Sequence, residues 1–541
     1  MGKRKFQISL ILIFLNLFSI QAYSQDKEAE RFSNRIENIA KEYYRIEDYE
    51  KALEGYLMLD SIDPGNTLYK YRIGISYLNS NAKSRAYPYL EFVYQQEDAP
   101  EDILFELARA YHLGMEFDKA IIMYESYKKQ IQFINPEDRS NKTTDTETDH
   151  YIQQCRNGLR YVREPFINTS IYNLGPNINS EYDDFAPLLN KSEDLLILTS
   201  KRNATKETKS DPLTGQYYEN VFISHLSNGS WQEVSSIGQP INQDNIHNSA
   251  VGLSPEGDLL FLYIGDDDRF SSRISGDLYL SSSQNGQWEN PMKIDAINSK
   301  FWESSATVSQ DESVLVISSD RQGGYGGTDL YISRKDQGGN WSTPENLGAY
   351  INTKFDEDGP FLHPDGNKLY FSSKGHSSMG GYDIFYTEYL EDKKRWTRPV
   401  NMGFPINSPD DDVYFVWSAD GERAYFSSQR EDTYGKTDIY MLVREDAENV
   451  LVKVKGEIRD KIDHSPVKAE IIVRDEMNNN LIGIFQTVEK DGNFSIPLLS
   501  GRKYKIAIEA QGYRNEDFHL NIQQESESSG IIKNVTLTRT Q

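Results

Sequence analysis

From residue 178 onward one dipeptide returns five times, and its spacing limits what this chain can fold into. Ile-Asn stands at Ile178–Asn179, Ile241–Asn242, Ile297–Asn298, Ile351–Asn352 and Ile406–Asn407, so successive copies lie 63, 56, 54 and 55 residues apart. A polar or acidic cluster follows, then a short apolar run ending near Ser-Ser, then a Gly-x-Asp-Leu-Tyr-like run. Units of this length with several short strands bury their faces only against one another, and their repetition predicts the blades of a β-propeller.

The strands can be placed within each unit. Second strands are expected at Asp194–Thr199, Asp258–Tyr263, Ser313–Ser318, Lys368–Phe371 and Arg423–Phe426. Third strands centre on Val221-Phe222, Leu278-Tyr279, Leu330-Tyr331, Ile384-Phe385 and Ile439-Tyr440, preceded by Asn220, Asp277, Asp329, Asp383 and Asp438. Trp231, Trp288, Trp341 and Trp396 open four outer strands. The fifth is expected from upstream. Asn173-Leu174-Gly175 before Ile178 matches Asn346-Leu347-Gly348 before Ile351 and Asn401-Met402-Gly403 before Ile406. Phe166–Leu174 would then complete the last blade and remove an open edge. This counts five blades, with a sixth, degenerate one as the alternative.

Residues 26–132 repeat at a different period, 34. Tyr43, Tyr77 and Tyr111 keep that step, as do Ala52, Ala86 and Ala120, Ala40, Gly74 and Ala108, Ile39, Ile73 and Leu107, and Tyr56, Leu90 and Tyr124; Pro64 and Pro100 end two of the units. This closely resembles the tetratricopeptide repeat, in which small residues let paired helices approach and aromatics fill the space between pairs. Asn135 to His150 is polar and reads as a loop, and Tyr151 to Val162 as a helix capping the solenoid's open end.

After residue 445 the pattern changes again. Lys455-Gly456-Glu457-Ile458, Pro466-Val467 and Ala469-Glu470-Ile471-Ile472-Val473 alternate as half-buried strands. Asp491-Gly492-Asn493-Phe494, Gly501, Tyr504 and Gly512-Tyr513 follow. This stretch resembles the transthyretin-like, carboxypeptidase regulatory-like β-sandwich. The expected fold class is multidomain α plus all-β, with 1–24 a signal peptide, 26–164 tetratricopeptide-like repeats and capping helix, 165–446 a PD40/WD40-like propeller, and 450–541 the sandwich.

The first residues read as a leader. Lys3, Arg4 and Lys5 precede an apolar run from Ile8 to Ile20, and Ala22-Tyr23-Ser24 offers a small-x-small cleavage site before Gln25. Thirteen residues are too few to span a bilayer, which favours export with cleavage over an anchor. The single cysteine, Cys155, cannot form an intramolecular disulfide, so the cores alone hold the exported chain together. A net charge of −25 over 541 residues argues against nucleic acid and anionic lipid as partners.

Candidate chemistry is thin. The acidic clusters Asp183-Asp184, Asp266-Asp267-Asp268, Asp356-Glu357-Asp358 and Asp410-Asp411-Asp412 offer oxygens that calcium could use. Three of them stand just after Ile-Asn, where short acids also accept backbone N–H bonds, and none has the spacing of a calcium loop. Gly323-Gly324-Tyr325-Gly326-Gly327 runs into a strand, so it reads as a tight turn and not as a phosphate cradle. There is no Gly-x-Ser-x-Gly and no His-Glu-x-x-His, and His363 and His376 read as loop residues. No catalytic residue or cofactor is expected.

By analogy with tetratricopeptide pairs, the first helices place Glu37, Lys41 and Tyr44, then Tyr71, Ile75 and Leu78, then Phe105, Arg109 and His112 along a groove. An apolar centre with charged edges suits a protein partner. The alternative is that the apolar members pack on the chain itself.

Leader, tetratricopeptide repeats, PD40 propeller and regulatory-like sandwich, in that order, resemble the multidomain periplasmic proteins of Bacteroidota related to the type IX secretion component with a C-terminal OmpA domain. The resemblance implies a non-catalytic periplasmic scaffold associated with the outer membrane, an accessory of secretion or envelope assembly. The OmpA-like domain is not matched before Gln541, so direct peptidoglycan binding does not carry over. Two alternatives stay open: a propeller enzyme cleaving glycans, and a propeller binding a glycan or peptide.

Overall fold

The computed structural model describes the chain except residues 1–21, 136, 138–142, 167–168, 204–209, 212–214, 228–229, 266–275, 445–450, 477–478, 480, 489, 500–501, 523–530 and 541. The leader up to residue 21, the cluster Asp266-Asp267-Asp268 and Gly501 thus lie outside the described residues. The chain forms two compact units, one up to residue 114 with 122–142, the other from 115–121 with 143–541.

The first unit is helical: α1 (Ala22–Arg45), α2 (Tyr49–Ile62), α3 (Thr67–Leu78), α4 (Tyr87–Tyr94), α5 (Ile103–Leu113) and most of α6 (Phe117–Ile131). Asp48 and Asn66 cap α2 and α3 by accepting the N–H groups of Lys51 and Tyr69. The 34-residue series fall on equivalent packing positions. Tyr56, Leu90 and Tyr124 are buried. A Cβ on Gly74 would lie 2.5 Å from Leu90 Cγ, so that helix pair closes only over glycine. The Ile39 series departs from expectation: Ile73 and Leu107 are buried, but Ile39 is 48% exposed.

The polar stretch after Asn135 is not all loop. Helix α7 (Asp145–Arg163) starts six residues before the expected Tyr151, behind a capping box in which Thr144 and Glu147 satisfy each other's backbone. Its polar first turns are an exposed helix face. It belongs to the second unit together with the start of α6, whose Phe117 ring lies against Gly158.

Five antiparallel sheets make up most of the second unit. Their first strands are Asp184–Leu189, Asn248–Leu253, Glu303–Val308, Glu357–Leu362 and Asp412–Trp417. Each touches the first strand of the next sheet and the fifth touches the first, a propeller-like ring. Second strands begin at Leu195, Leu259, Val314, Lys368 and Arg423, within a residue of expectation. The outer edges are short pieces such as Ser230–Trp231 and Ser235–Ser236. In the fifth sheet the outer place is taken by Thr169–Asn173, antiparallel to Asp438–Arg444 with Asn173 opposite Tyr440. Ile178, Leu198 and Phe222 of the first sheet share a core with Val416, Tyr425 and Ile439 of the fifth.

The last residues form two four-stranded sheets. One is built on Leu451–Asp460 and the other on Glu470–Asp475. Val454, Ile458, Ile471, Val473, Tyr504 and Ile506 share one core. The alternating burial of Glu470–Asp475 is the period-two pattern of a strand wet on one face.

Candidate functional site

The recurring residues form one repeated hydrogen-bond motif. Each Ile-Asn isoleucine is buried. Each asparagine grips both backbone groups of the residue after the Asp, or in the first sheet Asn220, that opens a third strand. Asn352 Oδ1 accepts Leu330 N at 2.8 Å while its Nδ2 donates to Leu330 O at 3.0 Å. Asn179 does the same with Ile439, Asn242 with Val221, Asn298 with Leu278 and Asn407 with Ile384. The Asn-x-Gly residues complete the latch. Asn346 accepts from Gly348 N and Asn352 and donates to Asp329; Asn401 and Asn173 repeat the pattern with Asp383 and Asp438. The upstream strand thus closes the fifth sheet with the same latch as its neighbours.

The acids after Ile-Asn sit at the start of the first strands. Asp184, Glu303, Glu357 and Asp412 are wholly buried. Each accepts from the Ser or Thr four residues before it, and the last three accept also from the second serine of a Ser-Ser pair. Arg202, Arg321 and Arg430 neutralise Asp184, Glu303 and Asp412, and also donate to the carbonyls of Ile178, Ile297 and Ile406. Glu357 differs. Gly375 stands where the others have Arg, and His376 Nε2 meets Ile351 O at 2.8 Å instead. Burial, against hydrogen bonds from Thr353 and Ser373, pushes the Glu357 carboxyl up to about 7.

The altered segment receives α7. Gln154 and Asn157 donate to Gly380 O and Ser378 O, and Tyr161 Oη donates to Ser377 O at 3.0 Å. His150 stacks on Phe355 with ring centroids 4.1 Å apart. A long Arg at position 375 has no place under this helix, since even a Cβ there would overlap Thr353.

The calcium candidates do not converge. Asp356 pairs with Lys374 at 2.9 Å, Glu357 faces Thr353 and Ser373, and Asp358 accepts from Ser304, Ser305 and Gly359 N. Asp410 accepts from Asp411 N, Asp411 from Tyr382 N, and Asp412 belongs to the Arg430 pair. Among the described residues no three Asp, Glu, His or Cys gather as a metal requires. The Gly-rich run wraps Asp329, which accepts from Tyr325 N and Gly326 N. Cys155 is fully buried and its thiol is pushed far up by desolvation, as a structural cysteine should be.

The expected groove residues are less available than their positions suggested. Leu78, Phe105 and His112 are buried, and Phe105 packs on Tyr124 and Tyr127 with centroids 5.9 and 5.2 Å away. Tyr44, Tyr71, Ile75 and Arg109 are half-buried; Tyr71 Oη donates to Asp102 and Arg109 pairs with Glu106 at 2.8 Å. The apolar centre is therefore largely core, and at Phe105 it is α6 that folds over it.

What sequence reasoning missed is an open cavity of about 240 Å³ lined by the five first strands. Its walls include Leu188, Val251, Leu253, Phe361 and Trp417. Bulges set Ala186, Gly359 and Tyr414 at φ of 52°, 57° and 57°, and a Cβ on Gly359 would lie 3.1 Å from the Tyr414 ring. The signal was there as a shared register: Pro187 and Pro360, and Leu189, Leu253, Val308, Leu362 and Trp417, recur along the first strands. Only ring closure aims them at one space.

No family model matches the chain, and no curated protein matches it. Among solved structures it is similar to a putative TolB from Agrobacterium tumefaciens, at 17% identity over 62% of this chain and 99% of that one, with TM-score 0.30. It is similar to an alpha-L-arabinofuranosidase from Lactobacillus brevis at 13% identity over 50% and 92%, TM-score 0.31. An alpha-L-arabinanase from Penicillium chrysogenum complexed with arabinobiose is similar at 10% identity over 51% and 99%, TM-score 0.31. Likenesses this weak carry no argument about this chain. Among the described residues no helix is long and apolar enough to cross a membrane.

Proposed function

We propose that this chain is a non-catalytic binding scaffold of the cell envelope, exported by its leader and engaging a protein partner. The observation that carries this reading is the commitment of the recurring polar residues to the frame: Asn179, Asn352 and Asn407 latch strands, while Arg202, Arg321 and Arg430 neutralise buried acids. Such rigid, repeated frames present surfaces rather than mobile catalytic groups. In this reading the helical repeats are tetratricopeptide-like, the five sheets are the blades of a PD40-like propeller, and the final two sheets are a carboxypeptidase regulatory-like sandwich. Association with the outer membrane runs through the partner. The cavity favours a second reading, a propeller that binds a glycan or peptide, or cleaves a glycan. Crosslinking in intact cells with mass spectrometry, beside turnover assays on glycans and peptides, tests both. A crosslinked envelope protein and no turnover are expected; turnover lost on changing a carboxylate near the cavity overturns the scaffold.

A further inference from the structure

We infer that the hairpin end of the central cavity is a docking site for a peptide segment carrying an apolar side chain between Lys or Arg residues. This rests on the reading of the chain as a non-catalytic binder and names the chemistry of its partner. Two independent observations meet there. The first is the cavity, whose walls expose part of Leu188, Val251, Leu253 and Phe361 to a space of about 240 Å³. Water in that space lies against apolar walls, and an apolar side chain that expels it gains free energy. Among the polar residues of the wall, Asn190 and Ser305 are already engaged by Asp194 and Asp358, and Thr307 by Leu362 N. Apart from Gln310 and Lys191 at the hairpin end, the wall offers few partners for a sugar's hydroxyls.

The second observation is the charge at the mouth. The hairpins joining first and second strands carry Asp194, Glu256, Asp258, Asp311, Asp365, Asp420 and Glu422, all exposed. Turn hydrogen bonds hold Asp194, Asp311 and Asp420 below the usual carboxylate range, so they stay ionised. Of the nearby cations, Arg423 is held by Glu193 at 2.7 Å and Asp420 at 3.3 Å, and Lys368 lies 3.6 Å from Glu388; Lys191 is exposed at the rim. An apolar cup rimmed by carboxylates complements a basic segment with an apolar centre, the rim setting association and the cup setting residence.

The test uses the full chain and short synthetic peptides with a Leu-Phe centre flanked by lysines, followed by fluorescence anisotropy. Glu256→Lys with Glu422→Lys reverses two exposed charges and leaves the turn-capping Asp258 and Asp420 in place. Binding should weaken about tenfold in that variant, with melting unchanged, and should fall with added salt. Replacing Leu-Phe by Ser-Ser should abolish binding. The inference is overturned by no binding of the lysine-flanked peptide, by equal binding of a glutamate-flanked or Ser-Ser peptide, by indifference to the charge reversal, or by binding of a neutral oligosaccharide in its place. Peptide failure with a crosslinked protein partner still found in cells removes this site and leaves the scaffold; turnover removes the scaffold itself.

Discussion

Glu303 and Glu357 hold the same place in successive repeats, yet replacing each by Gln should move stability in opposite directions. Both are wholly buried. Glu303 accepts from Ser299 Oγ at 2.7 Å, Ser319 Oγ at 2.8 Å and Arg321 Nη2 at 3.0 Å. Glu303→Gln keeps one acceptor oxygen but leaves the Arg321 guanidinium, itself only 13% exposed, without a counter-charge. Breaking a buried pair from one side costs about 3 kcal/mol. Glu357 has no arginine, and burial raises its carboxyl from an ordinary 4.5 to about 7. A raised folded value means stability that is fully present below about pH 4.5 and lost as pH climbs through about 7. The difference is worth roughly 3 kcal/mol at pH 8. Glu357→Gln removes that loss and gives up one hydrogen bond, about 1 kcal/mol, for a net gain of about 2 kcal/mol at pH 8 and little change at pH 5. Because a chain of several modules need not unfold in one step, the readout is local: hydrogen exchange over residues 299–321 and 353–375, across that pH range. The reasoning fails if the two variants shift protection in the same direction at pH 8, or if Glu357→Gln keeps the parent's pH dependence.

Three further outcomes follow from the same contacts. Asn352→Ala leaves the buried N–H and C=O of Leu330 without partners and should cost about 2–4 kcal/mol, read as faster exchange of the Leu330 amide; unchanged exchange refutes the latch. A chain starting at residue 160 should keep the fifth sheet's outer strand and melt cooperatively, whereas one starting at 178 loses Thr169–Asn173 and should be less soluble and less stable; equal behaviour refutes closure from upstream. Phe105→Ala should destabilise the helical unit by about 3–5 kcal/mol, so any loss of partner capture in that variant must be read beside its melting curve; an unaltered melt would return Phe105 to the surface.

Period was what the sequence by itself determined. A 34-residue step placed small and aromatic residues on equivalent helix positions, and the Ile-Asn step placed five sheets and the upstream strand that closes the fifth. Both are local and repetitive, so each copy repeats the evidence of the last. What only the tertiary structure decided is which side of a residue faces what. Phe105 and Leu78 stand at groove positions but are buried, Phe105 against Tyr124 and Tyr127 of α6. Asp356, Glu357 and Asp358 are consecutive, and strand geometry sends their side chains to different partners. The missing arginine at Gly375 is visible in sequence, but its reason, the docking of α7 from more than 200 residues away, is not. The cavity belongs to no single repeat. It exists because five first strands meet in a ring, and such a closure is a property of the sheets' mutual packing, which no local period encodes.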